Sequence, residues 1–528
     1  MAAVVAALKD GVGLVTVARR GTLNLVGAGV NGLLSFVLVV IVTRMLHAAG
    51  AGVFFEATSI FMLAGTVAKF GSDTGLVRFI SRDRALHAPG QIRRHLLAGT
   101  VPSAVIGLVC GALLFWLAPE VAAHFVIGAR LRRNPELVLM IRVLAPFLPV
   151  YVTYLNGLAA TRGFGSMVPT NVVDRLAISA LQPVVVFAAA DLALGGGAVA
   201  AAWVMPMLIG LIPIAFWLRR LGRQAGVSVG PRVGPGALAG TPGRDFWRFA
   251  APRGIASIFQ IGQDRIGILL VGGLSTAAGA GVFAAAARWL IAGSFFSDAL
   301  NQGMQPTMAE HLARRDYSRA GHLYQVSTGW TVLISGPMYL TMAIFPSVLL
   351  RPFGHGFHGG ALTLSVLAIA AFAGAATGSV TVILLMGGKS SWNLINTSAA
   401  LSADLVIGIM LIPHLGLLGA AISTDVGLLI ANLLPVVQVY RLYRMHPFGE
   451  GFRVAMAASL GCFALIGIVI RLRFGQSLPA ALLYGVSSCC AYALVVWRTR
   501  DALQLTGLKG MVPAGVRRYT TGSGRHRR

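Results

Sequence analysis

Charge is scarce in this chain. Asp, Glu, Lys and Arg make up 11% of its 528 residues, against about 25% in a typical soluble domain. A water-soluble enzyme with accessory domains is excluded. Acidic residues are the scarcest, 17 against 43 basic ones, a net charge of +26. In a soluble chain that excess would point to nucleic acid; here its position along the chain decides its meaning. Cysteine is nearly absent. Cys110, Cys462, Cys489 and Cys490 all stand in apolar stretches and form no Cys-x-x-Cys pair, so neither a zinc site nor a disulfide framework is indicated. A nucleotide-binding loop is also missing: Gly388-Lys389-Ser390 ends like one, but Ile383 stands where its first glycine belongs. The longest loops, 219–248 and the tail after 497, are too short for a nucleotide-binding domain. Nothing in the sequence hydrolyses ATP.

Hydrophobic residues account for 56% of the chain and glycine for 65 positions, a composition that suits closely packed membrane helices. Runs of bilayer length, about 20 apolar residues each, fall at 22–43, 53–77, 96–118, 137–160, 169–190, 196–218, 249–272, 280–304, 324–350, 361–386, 393–412, 417–440, 454–470 and 478–497. The first twenty residues have no cationic stretch ahead of their apolar part. They read as a short interfacial helix and not as a cleaved signal peptide. With both termini cytoplasmic, inside segments carry roughly fourfold more Lys and Arg than outside ones. The cluster at Arg130, Arg132 and Arg133 is the one discordant loop. Most of the positive charge is thus a topological label, and nucleic acid drops out as a partner.

The heptapeptide Ala-Ala-Gly-Ala-Gly-Val-Phe occurs at 48–54 and again at 277–283. Other landmarks recur at similar offsets: Arg162 with Lys389, Leu194-Gly195 with Leu415-Gly416, and Arg219 with Arg441. The expected fold is therefore an all-α integral membrane protein of about fourteen transmembrane helices. Two six-helix lobes are related by a pseudo-twofold along the membrane normal, and two C-terminal helices follow. The expected division is a cytoplasmic N-terminal segment at 1–21, an N-lobe at 22–218, a basic linker at 219–248 and a C-lobe at 249–440. The last two helices at 454–497 and a basic cytoplasmic tail at 498–528 complete it. That tail can lie against anionic lipid.

Two such lobes enclose a cavity, and polar stripes at 100° per residue indicate what lines it. Span one carries Arg20, Asn24, Gly27, Asn31 and Ser35, and span two Ser59, Thr66, Lys69 and Asp73. Span seven carries Arg253, Ser257, Gln260, Asp264 and Gly267, and span eight Arg288, Asp298, Gln302 and Gln305. The candidate cavity residues are Asn24, Asn31, Lys69, Arg253, Gln260 and Arg288. Arg253 and Arg288 have no acidic residue three or four positions away, which favours an anionic ligand over packing. Lys69 and Asp73, at i and i+4, face the cavity or neutralise each other. Asn24 and Asn31 face it or bond neighbouring helices. Asp264 and Arg265 are adjacent, so one is expected to point inward and the other towards a neighbour. Asp174, Arg175, Asp404 and Asp425 are expected to be structural, and Glu56 lies outside the arc of span two. Cations in an apolar bundle point to a cargo with an anionic head and a greasy tail, since the arginine fork matches phosphate. An exporter of cationic drugs would instead present bare carboxylates or aromatics.

Gly21-Thr-Leu-Asn24, Thr43-Arg44-Met-Leu, Ala49-Gly50-Ala-Gly-Val-Phe54 and Gly71-Ser-Asp-Thr-Gly-Leu-Val-Arg78 resemble the first two helices of bacterial polysaccharide-transport flippases. Those proteins belong to the multidrug/oligosaccharidyl-lipid/polysaccharide exporter superfamily. Gln263-Asp264-Arg265-Ile-Gly-Ile-Leu-Leu270, Gly279-Ala-Gly-Val-Phe283 and Gln305-Pro306 resemble its seventh and eighth helices, and Leu415-Gly416-Leu-Leu-Gly-Ala-Ala-Ile422 its twelfth. The resemblance implies a V-shaped pair of lobes working by alternating access, with no catalytic residue, metal or cofactor. It implies export of a polyprenyl-pyrophosphate-linked glycan to the outer leaflet of a bacterial inner membrane. Its expected partners are membrane lipids and a glycan polymerase or glycosyltransferases. Coupling would use Asp73, Asp264 or Asp298 as a proton or sodium site, or the membrane potential alone. Lipid II flipping and cation-coupled drug export are the alternatives within the superfamily. A non-transporting scaffold that recruits glycan enzymes is the alternative outside it.

Overall fold

The computed structural model describes residues 11–124, 134–226 and 242–503. Side chains are described from residue 29 onward, apart from those at 242, 299, 302, 303, 306 and 390. The Arg130–Arg133 cluster, residues 1–10 and the tail beyond 503 lie outside the described residues. All regular structure among the described residues is helical. The first half holds α1 (Gly11–Lys69), α2 (Ser72–Ala85), α3 (Pro89–Trp116), α4 (Ala118–His124), α5 (Pro135–Leu144), α6 (Leu148–Gly163), α7 (Ser179–Asp191) and α8 (Gly196–Gln224). The second holds α9 (Pro242–Leu274), α10 (Ala277–Ala313), α11 (Tyr317–Ile344), α12 (Pro346–Leu350), α13 (Ala361–Ala375), α14 (Val380–Met386), α15 (Ser390–Leu415) and α16 (Leu417–Tyr443). Then come α17 (Glu450–Ser459), α18 (Ile466–Phe474) and α19 (Leu478–Arg498). Short polar side chains start several of these helices: Asn134, Thr276, Asp316 and Ser477 each accept a hydrogen bond from a first-turn amide, satisfying donors that a helix leaves free.

Among the described residues, twelve helices are long and apolar enough to cross a membrane, or thirteen when Tyr317–Ile344 and Pro346–Phe353, bent by 90°, count as one crossing. The sequence leads to fourteen. The difference lies in α1, a single 59-residue helix broken at His47, whose backbone is at φ 56° and ψ −176°. Ser35 and Gly32 of its first arm lie against Arg288 and Phe295 of α10, whereas Glu56 and Gly71 follow Gly272 and Ala250 down α9. Since α9 and α10 are joined by a tight turn, the two arms of α1 run in opposite directions. A second departure is the run 361–386, which is not one helix but α13 and α14. Between them the Thr377 carbonyl accepts from Tyr324 Oη at 2.7 Å, so a side chain satisfies backbone freed by the break.

Two seams join the halves. At the first, the repeated heptapeptides meet each other. A β-carbon on Gly52 would overlap the Ala277 carbonyl oxygen, and one on Gly281 would overlap that of Ala48. The fifth residue of each copy rests on the first residue of the other, a reciprocal contact of the isologous kind. At the second seam, near the far end of α9, Gly254 packs on the backbone of Phe70, and Gly71 (φ 79°) on that of Ala250. Phe246, fully buried, seats beside Phe79 with ring centroids 5.6 Å apart, and Trp247 Nε1 donates to the Ala98 carbonyl at 3.1 Å. Both ends of the interface between the halves are closed.

If the first seam is a backbone-to-backbone contact, a single methyl group must disturb it. Gly52→Ala and Gly281→Ala should each destabilise the protein by about 1–3 kcal/mol. Gly485→Ala, where a β-carbon meets open space, should leave stability unchanged or slightly raised. Thermal unfolding in detergent measures this; equal melting temperatures for all three would remove the reciprocal contact.

Candidate functional site

A cavity of about 670 Å³ opens inside the second half, between α9, α10, α13 and α16, and touches α1 only through Val39 and Phe55. Ile268, Ala284 and Leu428 give it an apolar wall, while charge comes from α9 and α10 and hydrogen-bonding groups also from Thr331 and Tyr339 of α11 and from α16. Asp264 and Arg265 both line it. Neighbouring residues on a helix stand 100° apart, so an opening wider than that arc receives both, contrary to the expectation that one turns away. Across from them, α10 contributes Arg288, Ser294, Asp298 and Asn301. Ser294 Oγ donates to Asp298 Oδ2 at 3.4 Å.

The two guanidinium groups are incompletely used. Arg288 Nη2 donates to the Ser35 carbonyl at 3.3 Å, which ties α10 to the first arm of α1. Its Nε has no hydrogen-bond partner, and neither does Nε of Arg265. Thr424 Oγ1, on the α16 wall, is also unpartnered. Buried donors without acceptors are costly in a low-dielectric interior, and two arginines aimed into one cavity offer planar forks suited to phosphate or carboxylate oxygens.

The other anticipated residues are dispersed. Lys69 Nζ and Asp73 Oδ2 form an ion pair of 2.8 Å that straddles the break between α1 and α2. Lys69 closes the C-terminal turn of one helix and Asp73 opens the N-terminal turn of the next, each favourably placed against the helix dipole. Asn31 Oδ1 accepts from Ser179 Oγ at 2.6 Å and so links α1 to α7. Arg253 and Gln260 are exposed on α9 and do not line the cavity. With Ser257 and Asp264 they step along one face of α9, from beside the second seam to the cavity over about 16 Å. The side chain of Asn24 lies outside the described residues. Sequence reasoning left open which of Asp264 and Arg265 faces inward, and missed Asn301, Thr424 and Asn432 as lining residues. Asp174, expected to be structural, accepts from Tyr154 Oη at 2.7 Å in the first half, a partner that sequence reasoning did not name. That aspartate stands on a nine-residue π-helix, Thr170–Ile178, and periodicity at 100° per residue misplaces side chains on such a segment.

Residues 17–311 match the model of a family described as polysaccharide biosynthesis protein, and residues 252–410 match the MatE family model. No curated protein matches the chain. The fold is similar to that of the lipid II flippase MurJ in an inward closed conformation, with a TM-score of 0.70, 12% identity, and coverage of 90% of this chain and 98% of that one. It is also similar to an inward-facing multidrug resistance MATE family transporter of the MOP superfamily, at a TM-score of 0.61 and 16% identity over 78% and 94% of the two chains. A MOP superfamily transporter from Pyrococcus furiosus follows at 0.52 and 17% identity over 83% and 95%. These likenesses establish a MATE- and MurJ-like transporter fold.

The Lys69–Asp73 geometry separates a lock from a cargo contact. As a lock at the α1–α2 joint, the pair should show a coupling energy of about 0.5–3 kcal/mol in a double-mutant cycle of Lys69→Ala and Asp73→Ala. The double variant should then be more stable than the sum of the single losses implies. Additive losses, read from chemical denaturation in detergent, would leave the pair without a locking role.

Proposed function

The chain belongs to the polysaccharide biosynthesis protein family, and on that premise we propose that it is a flippase for a polyprenyl-(pyro)phosphate-linked oligosaccharide. It is a multi-pass integral membrane protein with a transporter fold. On this reading it moves its cargo from the cytoplasmic to the outer leaflet of a bacterial inner membrane, supplying cell-surface polysaccharide assembly. The supporting observation is the pair of arginines, Arg265 and Arg288, whose Nε groups lack acceptors inside one cavity. A phosphate or pyrophosphate group supplies those acceptors, while Asp264, Asp298 and Asn301 accept or donate hydrogen bonds to sugar hydroxyls. The polyprenyl chain stays in lipid.

The orientation given by the basic residues puts the second seam at the cytoplasmic face and the first at the outer face. Parting of the second seam admits the head group past Arg253 and Gln260, which lead along α9 to Asp264. Reclosure, followed by parting of the first seam, releases it outward. With both seams shut, the structure stands between the two open forms. Asp264 and Asp298 double as coupling sites: an anionic head group beside them favours uptake of a proton or a sodium ion. Their presence also supports a second reading, cation-coupled drug export, and the same fold serves a lipid II flippase.

Loss of the gene, assayed with a labelled lipid-linked glycan, should trap that glycan in the cytoplasmic leaflet. Arg265→Ala and Arg288→Ala should each cut translocation at least tenfold at normal membrane levels, with Arg288→Lys intermediate because a point charge replaces a fork. Unchanged leaflet distribution of every polyprenyl glycan would sink the proposal. Trapping of lipid II alone would assign the chain to peptidoglycan export, and drug sensitivity without any trapped glycan to drug efflux.

A further inference from the structure

Glu56 is the one acidic residue on the second arm of α1, and the transport reading leaves it unused. It is 4% exposed, and its Oε1 has no hydrogen-bond partner. One turn above it, at i−4, stands Gly52 of the first seam. Its carboxyl group lies directly on the backbone of α9 at Gly272, where a β-carbon would overlap it. Ser59, one turn further along the same face, is fully buried and likewise keeps an unpartnered hydroxyl. The carboxyl group is thus sealed between the two halves, immediately beneath the seam.

No ion pair among the described residues reaches Glu56. On α9 the nearest charges along the helix, Asp264 and Arg265, line the cavity about two turns away. On α10, Arg288 is committed to Ser35. On α5, Arg142 lies over the Phe115 ring at 5.6 Å and Glu136 lies against Gly196. At the seam itself, Arg44 donates to the Pro352 carbonyl at 2.7 Å, and His47, His355 and His358 are exposed. An ionised carboxylate without a cation in a membrane interior is costly, whereas a neutral one is tolerated.

We infer that Glu56 is a proton-binding latch: closing the first seam takes up one proton from the solution on that side, and opening the seam returns it. The inference rests on the alternating-access reading for the opening of this seam and not on the identity of the cargo. Closure buries the carboxyl group against α9, where the protonated form fits. Opening hydrates it, and the proton leaves to water. The ratio of closed to open protein therefore falls with rising pH, by up to tenfold per pH unit for a single linked proton.

Hydrogen–deuterium exchange on the full chain in nanodiscs, between pH 5.5 and 8, reads the latch without any cargo. The segments to follow are 46–56 and 272–283. Comparison with Glu56→Gln at each pH cancels the intrinsic pH dependence of exchange. The ratio of wild-type to Glu56→Gln exchange should rise at least tenfold between pH 5.5 and 8. Glu56→Leu, which holds no proton, should stay slow throughout and covers the case in which the amide fails to fold. The combined His355→Ala and His358→Ala variant should behave like wild type. A pH-independent ratio of wild type to Glu56→Gln, or loss of the pH dependence in the histidine variant, overturns the latch while leaving alternating access intact. A seam that stays equally protected in every variant at every pH overturns the alternating-access reading itself.

Discussion

The contact between the two heptapeptides governs how the halves meet. In lipid, helices gain little by hiding apolar surface from water, so association depends on packing and therefore on close approach. Gly52 and Gly281 supply that approach twice over, because each rests on the backbone of the other copy. Once it is in place, the second arm of α1 must follow α9 and the first must follow α10. Arg288 then reaches the Ser35 carbonyl, Glu56 comes to lie on Gly272, and the cavity falls to the side of the second half. A repeat that reads as small residues in sequence is, in space, a joint.

The second seam is built from different chemistry. Its glycine contact is bordered by Phe246 between the rings of Phe79 and Trp247, by the Arg78 guanidinium 4.1 Å over the Phe249 ring, and by the Lys69–Asp73 pair. Such cation–π and ionic contacts weaken when water or a competing anion enters. The first seam is a backbone-to-backbone contact, with the Arg44–Pro352 hydrogen bond at its edge. The two ends of the interface therefore differ in what can open them: one answers to charge arriving at its surface, and the other to the protonation of a group beneath it.

Much of this was legible in the sequence, for definable reasons. Membrane character follows from composition, and most spans follow from run length, because lipid leaves a chain few alternatives to helix. The repeat was visible as a string of letters, but its self-contact was not, since nothing local says that a residue will meet its own counterpart. Arg288, Asp264 and Asp298 were found by helical periodicity, and the cavity unites them. Lys69, Asp73 and Asn31 obey the same periodicity yet bond to close neighbours, because a polar stripe reports which face avoids lipid and not whether water or protein covers it. Only one of Asp264 and Arg265 was expected to face inward, whereas a wide opening takes in two adjacent positions. Asp174, expected to be structural, does bond within the protein, but its partner Tyr154 was not legible because Asp174 stands on a π-helix that shifts the register.

The size of the cavity constrains what a flippase of this design can read. At about 670 Å³ it falls in the range of sites that hold a drug-sized ligand, roughly 300–1,000 Å³. Phosphate groups with the first one or two sugars fill that space, and a long glycan does not. On the proposed reading, recognition then falls on the part of the cargo nearest the carrier lipid, beside Arg265, Arg288, Asp264 and Asn301, which line the cavity. Sugars further out have to lie beyond the cavity while either seam is open. Closure of both seams, as here, is compatible only with an empty cavity or with a head group short enough to be enclosed. A cargo whose glycan is too long to be enclosed cannot pass through the doubly closed form. On the proposed reading, cargo is then sorted by charge at the arginines and by length at closure of the two seams.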